Sequence, residues 1–97
     1  MKTHMLIRAL KKIMPQASFA LTDSRDWCSL TFSGQQITIE CYLTGQDSDQ
    51  YSRYLTDIIP GYQFSIPGWL VADIAVVTRQ ECDSDITLVI ETLVIFG

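Results

Sequence analysis

Apolar residues recur at helical spacing in two segments of the chain, and a proline follows each segment. In residues 4–14 they lie three or four positions apart, with Arg8, Lys11 and Lys12 on the opposite face. The same spacing returns in a second segment that Asp47 or Ser48 can cap. Both helices are predicted to end at the proline, because the residue before proline avoids helical dihedrals. The apolar positions are Leu6, Ile7, Leu10, Ile13 and Met14 in the first helix, and Tyr51, Tyr54, Leu55, Ile58 and Ile59 in the second.

The two helical segments belong to a longer internal repeat. Residues 10–21 and 55–66 share apolar residues, a proline and a phenylalanine at positions that lie 45 residues apart. A repeat of this length indicates two similar units. A chain of 97 residues is too short to bury two separate cores. We therefore expect one domain, residues 1–97, built from pseudo-repeats 3–45 and 46–97.

After the first helix, apolar and polar residues alternate with a period of two, which is typical of strands with one wet face. This alternation predicts strands over 17–21, 28–32 and 37–43, with Ser33-Gly34 as a hairpin turn before the third strand. The first unit is therefore predicted to be α-β-β-β.

The second unit shows a similar order after its helix. Strands are predicted over 62–66, 69–79 and 86–96, with a polar connection over 80–85. The sequence thus predicts an α+β fold, a tandem α-β-β-β pseudo-repeat with two helices packed on a mainly antiparallel six-stranded sheet.

The last predicted strand is apolar on both faces from Val89 onward, except at Glu91. Such a strand either lies in the centre of a sheet or is covered on its second face by a partner. One hypothesis is therefore a homodimer, a structural or interaction protein joined through this strand.

Composition indicates an ordinary globular domain with 47% hydrophobic and 19% charged residues. No apolar run approaches the ~20 residues needed to cross a bilayer, and Arg8, Lys11 and Lys12 interrupt what a signal peptide would need. Core packing explains the first helix as well as membrane binding does. The sequence has three cysteines, so at least one thiol stays unpaired, which favours a reducing compartment. Cys28 and Cys41 are predicted to be small buried residues. We expect a cytoplasmic protein that does not bind membranes.

Catalytic and metal-binding motifs are missing from the sequence. His4 is the only histidine, so neither a catalytic triad nor a zinc site can be assembled from the usual ligands. Asp73 and Glu91 are the two carboxylates in apolar surroundings, and we expect each to project from the wet face of its strand. A ligand cleft near Trp69 and Asp73 is the remaining route to an enzyme. The sequence favours a protein that is not an enzyme and uses no cofactor or metal.

Charge is the strongest functional signal in the sequence. Residues 13–97 contain three basic and eleven acidic side chains, a balance of −8, whereas the basic residues before them have no acidic neighbours. Such a surface repels nucleic acid and attracts basic partners. Carboxylates two positions apart in a strand lie ~6.6 Å from each other, of the order of the spacing of successive phosphates. The predicted partner-binding residues are the grouped acids Asp23, Asp26, Asp47, Asp49, Glu81, Asp83 and Asp85.

In length, acidity and the absence of motifs, the chain resembles the anti-CRISPR inhibitors of phages and prophages, in particular the type I-F inhibitors. This resemblance covers the overall profile of the whole chain. It implies a stoichiometric inhibitor that contacts the basic nucleic-acid channel of a crRNA-guided surveillance complex through Asp and Glu side chains. The basic first helix departs from a uniformly acidic DNA mimic.

Overall fold

The computed structural model describes residues 2–96 as two helices on one four-stranded sheet. The strands are antiparallel and lie in the order β1-β2-β4-β3. The α+β class is confirmed, but the predicted six-stranded sheet is wrong, because each unit contributes two strands and not three. The elements are helix α1 (Lys2–Ile13), strands β1 (Ser18–Cys28) and β2 (Ser33–Leu43), helix α2 (Ser48–Ile58), a 3₁₀ turn (Ile59–Gly61), and strands β3 (Trp69–Cys82) and β4 (Asp85–Phe96).

The first unit has one strand fewer than predicted, because β1 continues through a polar segment. The predicted strands 17–21 and 28–32 were separated by residues 22–26, which show no alternation. In the structure β1 is an edge strand, and residues 21–26 are exposed on both of its faces, so no apolar pattern is required there. The turn lies at Ser29–Phe32 and not at Ser33-Gly34. It is closed by the Ser29 amide, which donates to the Phe32 carbonyl at 2.7 Å.

The second unit loses the predicted strand over 62–66. Its backbone pairing is limited to one bridge between Ile66 and Trp69. Phe64 instead packs against the core from a loop, with its ring centroid 4.7 Å from that of Tyr62. A loop that lies along a core can also have an apolar side chain at every second position. The period of two therefore does not distinguish a strand from such a loop.

β3 in turn is longer than predicted and includes residues 80–82. The connection to β4 shrinks to a two-residue turn, in which Asp83 has a φ of 56°. Aspartate adopts this left-handed conformation more readily than most residues, which suits a tight hairpin.

Both helices pack on one face of the sheet, and this covered face holds the core. Leu6 and Leu10 of α1 and Leu55 of α2 are fully buried in one core together with residues of the central strands β2 and β4. The buried residues of these strands alternate along each, namely Ile37, Ile39, Cys41 and Leu43 in β2, and Ile86, Leu88, Ile90, Thr92 and Val94 in β4. Cys41 is buried as predicted, whereas Cys28 is exposed.

The internal repeat is visible in the element order α-β-β, which occurs twice. Leu10 and Leu55 occupy equivalent buried positions, as do Met14 and Ile59. The 45-residue correspondence ends after the prolines, because Phe19 lies in β1 whereas Phe64 lies in a loop. Within residues 2–96, no helix is long and apolar enough to cross a membrane.

Candidate functional site

The second face of the sheet carries no helix, and we call it the open face. Along β4, residues that point to the helices are buried, and those between them are half-buried. No other described part of residues 2–96 packs over these positions. By strand register, the open face consists of Ser18, Ala20, Asp23, Arg25 and Trp27 of β1, Gly34, Gln36, Thr38, Glu40 and Tyr42 of β2, Leu70, Asp73, Ala75, Thr78, Gln80 and Cys82 of β3, and Asp85, Thr87, Val89, Glu91, Leu93 and Ile95 of β4.

One end of the open face is apolar. Ile95 lies opposite Leu70 on one side and opposite Gly34 on the other, and Trp27 lies opposite Gly34. Leu70 is 62% exposed. A Cβ atom at Gly34 would collide with the Val94 carbonyl oxygen, so only glycine permits the close approach of β2 to β4 at this point. Leu93 extends the apolar surface by one row toward the centre.

Three carboxylates cross the centre of the open face in a diagonal line. Glu91 is the middle one, on β4. Asp73 of β3 lies opposite Leu93, which is two residues after Glu91 along β4. Glu40 of β2 lies opposite Val89, which is two residues before Glu91. Diagonal neighbours on adjacent strands are about 7–8 Å apart, so the three carboxylates form an evenly spaced row. We call Glu40, Asp73 and Glu91 the diagonal row.

Polar neighbours hold two of these carboxylates in place. Gln36 donates to Glu91 at 3.4 Å, and the Tyr42 hydroxyl donates to Glu40 at 3.0 Å. The hydrogen bond to Glu40 raises the pKa of the Tyr42 hydroxyl. Neither neighbour carries a positive charge, so both carboxylates remain available to a cationic partner.

Asp23, Arg25 and Asp85 complete the charge of the open face. Asp23 and Arg25 form an ion pair with an N–O distance of 3.0 Å, beside a polar depression of about 200 Å³ that Glu91 also lines. Asp85 lies on the same face at the turn between β3 and β4. With five carboxylates and one guanidinium, the open face has a net charge of −4.

The structure divides the seven acids predicted to bind a partner between two ends of the sheet. Five of them, Asp47, Asp49, Glu81, Asp83 and Asp85, lie where β2 ends, α2 begins and β3 turns into β4, and we call this the acidic end. Asp26 lies at the opposite end, where Gln35 donates to it at 2.9 Å. Through Gln35, Asp26 is level with Val94 of β4, whereas Glu81 is level with Ile86. These two positions lie eight residues apart along β4, a separation of about 26 Å. Asp23 lies between, on the open face.

Arginines reduce the charge of the acidic end. Asp49 pairs with Arg53 at 3.0 Å and also with Arg79, and Arg79 lies 3.5 Å from Glu81. All these side chains are at least one-third exposed, so the pairs contribute little to stability. They do lower the net charge of the acidic end from −5 to −3. The seven acids therefore do not form one continuous surface.

Trp69 and Asp73, which the sequence suggested as a cleft, lie on opposite faces of β3. Trp69 packs against the core and stacks on Phe96 with a centroid distance of 6.1 Å, whereas Asp73 projects from the open face. The expectation that Asp73 and Glu91 project from the face without helices is confirmed. Within residues 2–96, no group of three or more histidine, cysteine or acidic side chains could hold a metal ion.

The sequence does not predict the diagonal row, because its three carboxylates are far apart in the chain. Glu40 and Glu91 each occupy a polar position in an alternating strand, which is the one local signal they give. Their proximity depends on the pairing of β2 with β4 and of β4 with β3. No family model, curated protein or solved structure matches the chain.

Proposed function

We propose that this chain is an inhibitor without catalytic activity that binds a basic nucleic-acid-binding protein or ribonucleoprotein complex and blocks its binding of DNA. The observation that carries the proposal is the open face, an uncovered sheet surface with a net charge of −4. The resemblance to type I-F anti-CRISPR inhibitors names the first partner to test, a crRNA-guided surveillance complex in the host cytoplasm.

The distribution of charge supports a basic partner. Of the seven basic side chains, four belong to α1, and each of the other three forms an ion pair with an acid. The sheet and its hairpin ends therefore present mainly negative charge. Complementary charge raises the rate of association and disfavours direct contact with nucleic acid, which carries the same sign.

A competition experiment tests the proposal. Purified protein is mixed with a crRNA-guided surveillance complex, and labelled target DNA is then added. We expect DNA loading to fall as the protein approaches one copy per complex, and we expect the inhibition to weaken as salt rises, because exposed charges are screened within about 8 Å at physiological ionic strength. A polyglutamate peptide of the same net charge is the matched control and should not compete at equal concentration.

DNA loading that stays unchanged at a large excess of protein would refute inhibition of this complex. Equal inhibition by polyglutamate would show that any polyanion suffices and that the folded surface has no role.

A further inference from the structure

We infer that the docking site for the basic partner is the open face, centred on the diagonal row, and that five of the seven acids singled out by the sequence lie outside it. This inference rests on the proposed function and specifies the surface that performs it. The partner it implies is a protein surface on which Arg or Lys side chains alternate with aliphatic ones.

The chemistry of the open face favours that partner over a purely cationic one. Glu91 has Leu93 as its next neighbour on the same face of β4, and Ile95 follows at the same spacing. Leu70 lies beside Ile95 at the edge and is largely exposed. A partner that brings aliphatic groups onto these three residues and guanidinium groups onto the diagonal row removes apolar surface from water and neutralises charge in one contact.

The dimensions of the open face also suit an interface. Between Thr87 and Ile95 it extends about 26 Å along β4, and it spans about 14 Å across the three gaps between four strands. The diagonal row crosses this area, and its carboxylates are spaced about as far apart as successive phosphates of a nucleic-acid strand. A basic surface that normally follows a phosphate backbone can therefore pair with the row without rearrangement.

A second copy of this chain is the competing occupant, and the charge argues against it. Two open faces packed together would bring two surfaces with a net charge of −4 each into contact. Like charges in an interface oppose association. The acidic end is the competing site, but Arg53 and Arg79 already occupy two of its acids.

The test uses two variants that remove the same charge from the two places. One carries Glu40→Gln, Asp73→Asn and Glu91→Gln in the diagonal row. The matched control carries Asp47→Asn, Glu81→Gln and Asp83→Asn at the acidic end, outside the open face. The probe is a labelled peptide of repeating Arg-Arg-Leu-Leu, which in extended form presents Arg and Leu alternately on each side. A peptide of repeating Arg-Arg-Ser-Ser reports the contribution of charge alone.

We expect the diagonal-row variant to bind the Arg-Arg-Leu-Leu peptide at least about tenfold more weakly than the unmodified protein, because three exposed charge contacts are lost. The acidic-end variant should stay within about threefold. A third variant, Leu93→Ser, should weaken binding of the Arg-Arg-Leu-Leu peptide and leave the Arg-Arg-Ser-Ser peptide unaffected. Circular dichroism of each variant establishes that it is folded.

Several outcomes would overturn the inference. These are no binding of the Arg-Arg-Leu-Leu peptide, a larger loss in the acidic-end variant, equal losses in both variants, or a dimer in sedimentation that Leu93→Ser dissociates. None of these alters the DNA competition, so the proposed function would survive with another docking site. Failure of the DNA competition, with the expected pattern in the peptides, would instead remove the proposed function and leave the docking surface.

Discussion

The covered and open faces of the sheet are made by the same strands, but in the central strands β2 and β4 only the open face carries charge. Along β4 the covered face presents four aliphatic residues and one threonine, all buried. Between Thr87 and Ile95, the open face of the same strand presents three aliphatic residues together with Thr87 and Glu91, all half-buried. Burial of aliphatic surface stabilises the fold on the first face. The open face carries charged side chains that the packing of the fold does not require. This difference from the covered face is the reason for assigning the open face to binding.

Introducing a charge into each face should separate the two most strongly. Val94 is fully buried on the covered face, so Val94→Lys should prevent folding, because an ammonium group without a partner would be buried. Ile95→Lys, one residue away on the open face, should leave the protein folded. Circular dichroism and thermal unfolding of both variants provide the measurement. A folded Val94→Lys protein would show that the helix layer does not seal this part of the sheet.

Gly34 is the open-face position where a substitution should affect stability as strongly as one in the core. In Gly34→Ala the new Cβ would collide with the backbone of β4, so we expect a loss of about 1–3 kcal/mol in the free energy of unfolding. Denaturant titration measures the loss. The control is Thr38→Ala, two rows along the same face of β2, which should cost less. Equal stability of Gly34→Ala and the unmodified protein would contradict the close approach of β2 and β4.

Cys41 on the covered face should make stability depend on alkaline pH. Burial raises the pKa of its thiol from 9.0 to about 12. The folded state therefore holds its proton where the unfolded state loses it. This stabilising contribution is complete below pH 9 and declines as pH rises from 9 to 12, by about 1.4 kcal/mol for each pH unit.

The measurement for Cys41 is the free energy of unfolding at pH 8 and pH 10, compared with that of Cys41→Ala. The loss between the two pH values should be smaller in the variant by about 1.4 kcal/mol, since only the unmodified protein has this thiol. Identical pH dependence in both proteins would show that the Cys41 thiol is accessible to water.

The smallest expected effect on stability concerns Arg79, which links α2 to β3 through exposed ion pairs. Arg79→Gln should change the free energy of unfolding by less than about 1 kcal/mol. It also makes the acidic end more negative by one charge and leaves the open face unchanged. Peptide affinity should therefore stay within about threefold if the open face docks. A marked gain in peptide affinity in Arg79→Gln would show that the peptide binds at the acidic end and not at the open face.

Local patterns predicted the elements that bury a continuous apolar stripe. Both helices, their ends near Pro15 and Pro60, and the strands β2 and β4 follow from spacing, because each has one face in the core. The errors fall where that condition is absent. β1 is exposed over residues 21–26 and has no stripe, and residues 62–66 reach the core from a loop.

The candidate site was predicted in the same uneven way. Asp73 and Glu91 were expected on the face away from the helices, and they lie there. The grouped acids were chosen because they are close in sequence, yet Asp26 lies about 26 Å along the sheet from Glu81. Closeness in sequence is a poor guide to a surface on a sheet, because neighbouring positions across strands come from distant parts of the chain.

The amino-acid order alone settles which side chains can be buried, where the helices stop and how much negative charge follows residue 12. These properties depend on neighbours within a few positions. Strand order and register, in contrast, result from packing β2 and β4 together under both helices. That packing brings Glu40, Asp73 and Glu91 into one row, because pairing across strands acts over separations in the chain that no local pattern records.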